Sequence, residues 1–496
     1  MTQPAVFTFV TLGVAAQDVD GLAADPLLAA AAAVSFHDLV VYHDTADLAL
    51  RAAGVVLATR CSDGRWWQRL ERYGGGQWVE EQEIESRHPD RTKLPLAQSR
   101  ILHRLDAGAL REVFQVDRRG WRRTLAETAG EALELVFVQG RMQSGGRREP
   151  VCELWLEGQA NGLYALALRL TGGRPLRLLE PLVDRGYGLH AAALARHRKA
   201  EPPAMAADAS AEDAFVAIAG ACLAHGYANL AAARAGQVEG VHQMRVAMRR
   251  LRSCLRLFRP LIPREASAAL VEDIRWLSGV LGPVRDWDVF MGEGVEAMRQ
   301  AFPGRRGLAV LHRKAQALRQ AHCAALGRCL DDVRLCRMYL SAGAWLAERG
   351  WGQALSPVQR REIQTPALAF AVAVLKKNHR RVIRGGEAFA RLSAGERHAL
   401  RIRIKRLRYG VEFLASLFAD PPAAAAYAKA LAGLQDCLGV MNDAAVAGRL
   451  LDEAGLHRAT ATRKLIDGWY AGRQSQQEAE FATAWAKFRH CRRPWK

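Results

Sequence analysis

The nine cysteines of this 496-residue chain are odd in number and include no CxxC pair. That argues against both a disulfide framework and a zinc ribbon, and places the chain in a reducing compartment. Cys323, Cys329 and Cys336 follow His322 in a helical stretch. Their spacing matches no metal site, so they read as core packing. No run of about 18 uncharged apolar residues occurs, which leaves no candidate membrane-spanning helix. The chain also lacks a basic n-region followed by an apolar h-region at its start, so a cytoplasmic location is expected.

Negative charge is missing from one part only. Residues 201–496 hold 45 Lys and Arg against 27 Asp and Glu, whereas residues 1–200 hold 25 against 24. The net charge of +19 therefore belongs almost wholly to the C-terminal part. Such asymmetry implies an anionic partner: nucleic acid, an acidic membrane surface or a phosphate polymer. About half of the residues are apolar, enough for two or three domains with proper cores.

What is present is a pattern written twice. Residues 242–252 read HQMRVAMRRLR and residues 398–408 read HALRIRIKRLR, 156 positions apart. At about 100° per residue of α-helix, His242, Arg245, Arg249, Arg252 and Arg256 share an arc of roughly 80°. Met244, Ala247, Met248, Leu251, Leu255 and Phe258 form the opposite face. His398, Arg401, Lys405 and Arg408 repeat the arc, backed by Leu400, Ile404, Leu407, Val411 and Leu414. Like charges at i,i+4 repel, and these stripes carry almost no carboxylate to offset that. An unneutralised row of this kind suits a polyanion. The stripes hold no interleaved aromatics, which recognition of bases would favour, so a bare phosphate polymer fits better than nucleic acid. Arg250, Arg406, Lys377 and Arg381 complete the candidate binding set.

Up to about residue 190 short β-rich runs dominate: Val6–Gly13, Leu39–Tyr42, Trp66–Leu70, Leu133–Val138 and Val151–Leu156, with helical stretches at Asp47–Ala53 and Ala107–Val113. This predicts an α+β domain on antiparallel strands over residues 1–195, built as a barrel. Residues 196–211 are Pro/Ala-rich and read as a linker. Residues 212–496 are Ala/Leu/Arg-rich with helical periodicity, and LGPVRDWDV at 281–289 recurs as LGVMNDAAV at 438–446. Two side-by-side helical bundles are expected, one over about 212–350 and one over about 365–490.

These motifs resemble the CHAD domain. Both copies show its H-x-x-R-x-x-x-[RK]-R-L-R signature and its later L-G-x-x-[RN]-D element, over roughly residues 212–490. The resemblance implies two four-helix bundles enclosing a basic groove that binds inorganic polyphosphate, in the cytoplasm and associated with polyphosphate granules. Carried over residue by residue, it makes His242, Arg245, Arg249, Arg252, His398, Arg401, Lys405 and Arg408 the ligand-lining set. Asp286 and Asp443 match the family's aspartates and read as groups that orient arginines. Histidines at the head of both arcs suggest phosphate contact helped by partial protonation near neutral pH.

The N-terminal part resembles the CYTH, or triphosphate tunnel, fold. The carriers are Tyr42 to Arg51, Glu149 to Leu154, and Arg185-Gly186-Tyr187. The family opens on alternating Glu-x-Glu-x-Lys, where this chain has Phe7, Phe9 and Thr11. Trp155 stands between Glu153 and Glu157, Ala58 replaces an arginine beside Arg60, Glu71 falls near a lysine position and Leu182 occupies another. Only Glu134, Glu153, Glu157, Arg60 and Arg118 survive as fragments of a site that would hold a divalent metal and neutralise phosphate oxygens. No enzymatic activity, cofactor or membrane insertion is expected. The alternatives are a metal-dependent triphosphatase and a nucleic-acid-binding protein.

Overall fold

The structure is a computed structural model describing residues 9–29, 31–72, 81–93, 109–126, 132–190, 197–456 and 460–495. It divides into two compact units. One comprises the described residues of Ala5–Arg196 together with Asp331–Ala344; the other holds His197–Leu330 and Trp345–Lys496.

The first unit is a nine-stranded antiparallel sheet: β1 (Phe9–Gly13), β2 (Val34–Asp44), β3 (Val55–Ser62), β4 (Arg65–Arg72), β5 (Gln82–Ile84), β6 (Arg111–Ala126), β7 (Ala132–Ser144), β8 (Arg147–Glu157) and β9 (Arg177–Leu179). Its order is β5-β4-β3-β2-β6-β7-β8-β1-β9, so among the described residues the ladder is open between β5 and β9. The predicted helix over Ala107–Val113 is corrected: Arg111–Val113 open β6, and residues 107 and 108 lie outside the described residues. β6 escapes a sequence reading because charged residues stand on both of its faces, Asp117 and Arg119 exposed and Arg118 buried, so the alternation of Phe114 and Val116 breaks off after two positions. On that face Val40, Tyr42, Val56, Ala58, Phe114, Val116, Val138, Met142 and Val151 form one core. Helices α1 (Ala160–Gly173) and α2 (Leu182–His190) follow the strands. α2 contributes Leu182 and Tyr187 to that core. Gly186 is required there, because a Cβ would sit 2.1 Å from the ring of Phe114.

In the second unit α3 (Ala211–Tyr227), α4 (Val238–Leu257), α5 (Ala268–Val289) and α6 (Arg306–Leu330) make up the first repeat. After an intervening helix α7 (Val333–Ala347), most of which belongs to the first unit, come α8 (Ala367–Glu387), α9 (Ala394–Leu414), α10 (Pro421–Cys437), α11 (Val440–Glu453) and α12 (Ala461–His490). α8, α9, the pair α10/α11 and α12 repeat α3, α4, α5 and α6. The repeated LGxx motif lies inside α5, whose Pro283 is tolerated mid-helix, whereas the second copy spans the junction of α10 and α11. Neighbouring helices pack in the same order in both copies. The copies are not independent, because Trp287, Phe290, Leu308 and Leu311 share a core with Leu450, Leu451, Ile466 and Tyr470. The apolar faces predicted for the two basic helices are buried at every named position.

The division by packing departs from the linear order at one segment. Most of α7 lies between the two helical repeats in sequence but belongs to the sheet unit. Gly343 fits against Tyr164 of α1, where a Cβ would approach the ring to 2.4 Å. Leu335, Cys336, Met338, Tyr339 and Leu340 are buried. Cutting the chain near residue 200 therefore removes an apolar helix from the N-terminal unit.

Candidate functional site

α4 and α9 pack on each other, which brings the two cationic stripes together. Lys405 marks the junction. Its ammonium is half-buried, with Arg401 and Arg408 of its own helix and Arg245 and Arg249 of α4 acting on it. Burial first, and then these four guanidiniums, pull its pKa from 10.5 down to about 7. Arg245 lies 3.4 Å from Asp286, which also holds Arg449 of α11 at 2.7 Å. Asp286 thus pairs with one arginine from each repeat. Arg249 donates from Nε to the Tyr409 hydroxyl at 2.6 Å. Arg408 donates to Glu412 at 2.6 Å and to Gln435 Oε1 at 3.3 Å. A Cβ on Gly439 would stand 3.5 Å from Nη2 of Arg401, so this guanidinium lies at the start of α11.

Three expectations change. His242 is half-buried beside Arg285, and burial followed by that guanidinium brings its pKa to about 4. The imidazole of the free protein is therefore neutral at pH 7, not partly protonated, because the surrounding arginines oppose a further positive charge. His398, its counterpart, is exposed, so the duplication does not give the two histidines one environment. Arg250 is buried and turned inward, 2.9 Å from Glu412 and 4.8 Å from the ring centre of Phe413. It ties α4 to α9 and leaves the ligand set. Arg252 is half-buried, while Arg256, Lys377, Arg381 and Arg406 are exposed. The side chain of Asp443 lies outside the described residues.

Sequence reasoning missed Arg285, Arg449 and Tyr409. None is repeated: the matching positions hold Asn442, Gly292 and Ser253, and a reading guided by the duplication passes over what only one copy has. Tyr409 is buried, with Arg249, Arg250 and Arg408 around its ring. It positions guanidiniums and offers no exposed face for stacking a base.

In the sheet unit the residues of the two resembling motifs meet. Asp44 accepts from the amides of Leu50 and Arg51 and from the Tyr187 hydroxyl, at 2.9, 3.0 and 3.0 Å. Tyr42 stacks on Phe114 at 4.2 Å. The same face carries the surviving charges, of which Arg60, Arg118 and Glu153 are paired with Asp38 and Arg185. Asp38 lies 3.4 Å from Arg60 and 3.3 Å from Arg118; Arg185 lies 2.7 Å from Glu153. Trp155 stands 5.2 Å from the Arg118 guanidinium and separates Glu153 from the facing pair Glu134 and Glu157. Phe9 lies against Trp155, with ring centres 6.2 Å apart. Phe7 lies outside the described residues. Among the described residues no three metal-ligating side chains gather.

The second unit is thus a duplicated all-α domain with a cation-lined seam. Residues 217–452 match the CHAD domain. The crystal structure of the CHAD domain from the plant Ricinus communis is 33% identical, with a TM-score of 0.52, and the match covers 60% of this chain and 98% of that one. The chain belongs to the CHAD domain family. PptA from Streptomyces chartreusis is similar at 16% identity and a TM-score of 0.37, over 57% of this chain and 99% of that one. A putative adenylyl cyclase from Hippeastrum, described as having a dominant triphosphatase activity, is similar at 16% identity and a TM-score of 0.27, over 36% of this chain and 93% of that one. No curated protein matches the chain significantly. Among the described residues, no helix is long and apolar enough to cross a membrane.

Proposed function

We propose that the helical unit binds inorganic polyphosphate in the seam between α4 and α9, in the cytoplasm and at polyphosphate granules, and that the sheet unit catalyses nothing. The supporting observation is the surrounding of Lys405 by four arginines from both repeats. Asp286, Glu412 and Asp436 neutralise only part of this charge. A phosphate polymer would supply the missing negative charge, and its oxygens match arginine forks. Titrating the full chain with long-chain polyphosphate, triphosphate, DNA and RNA at matched phosphate concentration tests the reading. Long-chain polyphosphate should bind tightest, with affinity falling steeply with salt as condensed counterions are released. Tighter binding of DNA or RNA would overturn it.

For the sheet unit we read the same face that would line a tunnel as filled by core. Hydrolysis of triphosphate needs convergent carboxylates for the metal and free cations for the phosphates. Here Glu153, Asp38, Arg60, Arg118 and Arg185 are already paired among themselves. With Mg²⁺ or Mn²⁺ and triphosphate, phosphate release should stay at the buffer rate. Turnover of about 1 per second or faster, lost in Glu153→Gln/Glu157→Gln, would restore the triphosphatase assignment.

A further inference from the structure

Beyond the seam the stripe of α4 runs on. Arg252 and Arg256 continue it, about 17 Å from Arg245 to Arg256 at 1.5 Å per residue, and Arg259 follows in the turn just past the helix end at Leu257. Arg256 feels Arg252, Arg259 and Arg406, while Arg406 in turn feels Arg381 and Arg403. Arg403 lies against α8, with its Nη1 3.6 Å from where a Cβ on Gly385 would be. Three helices and the turn after α4 thus place six arginines on one continuous surface. The contrast with the seam is in their partners. Arg245, Arg249 and Arg408 each rest on a protein oxygen. None of these six makes an ion pair or a hydrogen bond among the described residues.

We propose that this outer arginine shelf, formed by Arg252 and Arg256 of α4, Arg259 in the turn after it, Arg381 of α8 and Arg403 and Arg406 of α9, is an extension of the seam that captures the emerging polymer and makes the protein select long polyphosphate over short. The inference rests on the polyphosphate reading of the seam. Guanidiniums held side by side without acceptors repel one another, and an anion crossing them relieves that repulsion at every step. A short chain seated in the seam ends before reaching the shelf. A protein partner would be expected to find apolar anchors, yet Val238 and Leu368, the exposed large hydrophobics on these helices among the described residues, lie 14 and 13 positions from Arg252 and Arg381 at the other helix ends. A nucleic acid would be expected to use exposed aromatics, and the Phe and Tyr residues of these three helices are covered, Tyr409 and Phe413 buried and Phe370 half-buried.

The test is a comparison of the full chain with its Arg256→Gln/Arg381→Gln/Arg406→Gln variant. All three positions are exposed, and an unchanged melting curve checks the fold. Affinity is measured for triphosphate, which is shorter than the seam, and for chains of about one hundred phosphates over a range of salt. The variant should bind the short chain within about twofold of the parent, bind the long chain about tenfold or more weakly, and show a shallower salt dependence for the long chain alone. Equal losses for both lengths, or no loss for either, would overturn the shelf while leaving the seam in place. A parent chain that binds neither length would remove the seam reading and the shelf with it. Tighter binding of single-stranded RNA than of the long chain, lost in the same variant, would reassign the shelf to nucleic acid.

Discussion

Changing Arg245 and Arg249 together to Glu should weaken binding of long-chain polyphosphate by about a hundredfold or more, since each charge-assisted contact is worth roughly 1.5–3 kcal/mol. The same reversal at Arg305 and Arg306 should weaken it by less than about tenfold, through long-range charge alone. The two pairs remove equal charge, and they differ in placement. Arg305 and Arg306 are exposed at the start of α6, whereas Arg245 and Arg249 converge with Lys405. The variant should keep its fold, because two new carboxylates beside Lys405, Arg401 and Arg408 would find cations to pair with. Loss of Asp286 as a partner of Arg245 is covered by Arg449, which already holds it at 2.7 Å. Equilibrium titration in moderate salt distinguishes the cases, with unchanged far-UV circular dichroism as the check on folding. Equal losses from both reversals would mean a diffuse field and no lined groove.

The helical half was open to a sequence reading because the duplication writes its pattern twice. A stripe repeated at helical spacing fixes which face is wet, and Leu400, Ile404 and Leu407 are fully buried as that spacing requires. Periodicity could not say that α4 and α9 turn their stripes toward one another. That depends on helix packing across the repeats, and it is this contact that brings Arg245 and Arg249 to bear on the buried Lys405. It also could not separate Arg249 from Arg250. One residue is 100° of helix, enough to move a guanidinium from the seam to a buried pairing with Glu412. In the sheet half β1, β2, β4, β7 and β8 were visible in part as apolar runs, whereas β3 was passed over and β6 was lost because Asp117, Arg118 and Arg119 interrupt its alternation. The assignment of α7 to the sheet unit was invisible, since nothing in its amphipathicity names the surface that it covers.

The last expectation concerns protons. Lys405 titrates near pH 7 in the free protein, well below its ordinary 10.5, because burial and four guanidiniums oppose its charge. Phosphate oxygens placed beside it reverse that opposition and return its pKa toward the ordinary value. Between about pH 7 and 10 the complex therefore holds a proton that the free protein has released, so binding takes up close to one proton and affinity falls as pH rises, by up to about tenfold per pH unit. His242, held at about 4, adds uptake on the acid side, so affinity continues to rise as pH drops from about 6.5 toward 4. Stability of the free protein follows the opposite rule. Above pH 7 the unfolded chain keeps the lysine proton that the folded one has lost, so this group lets stability rise with pH until the unfolded lysine also titrates. Calorimetric titration at about pH 8.5 in two buffers of different ionisation enthalpy measures the uptake directly. In Lys405→Arg the side chain stays charged throughout, so binding should persist while most of the uptake and of the alkaline affinity loss disappear. A variant with the parent's pH dependence would place the titrating group elsewhere and remove Lys405 from the contact with the polymer.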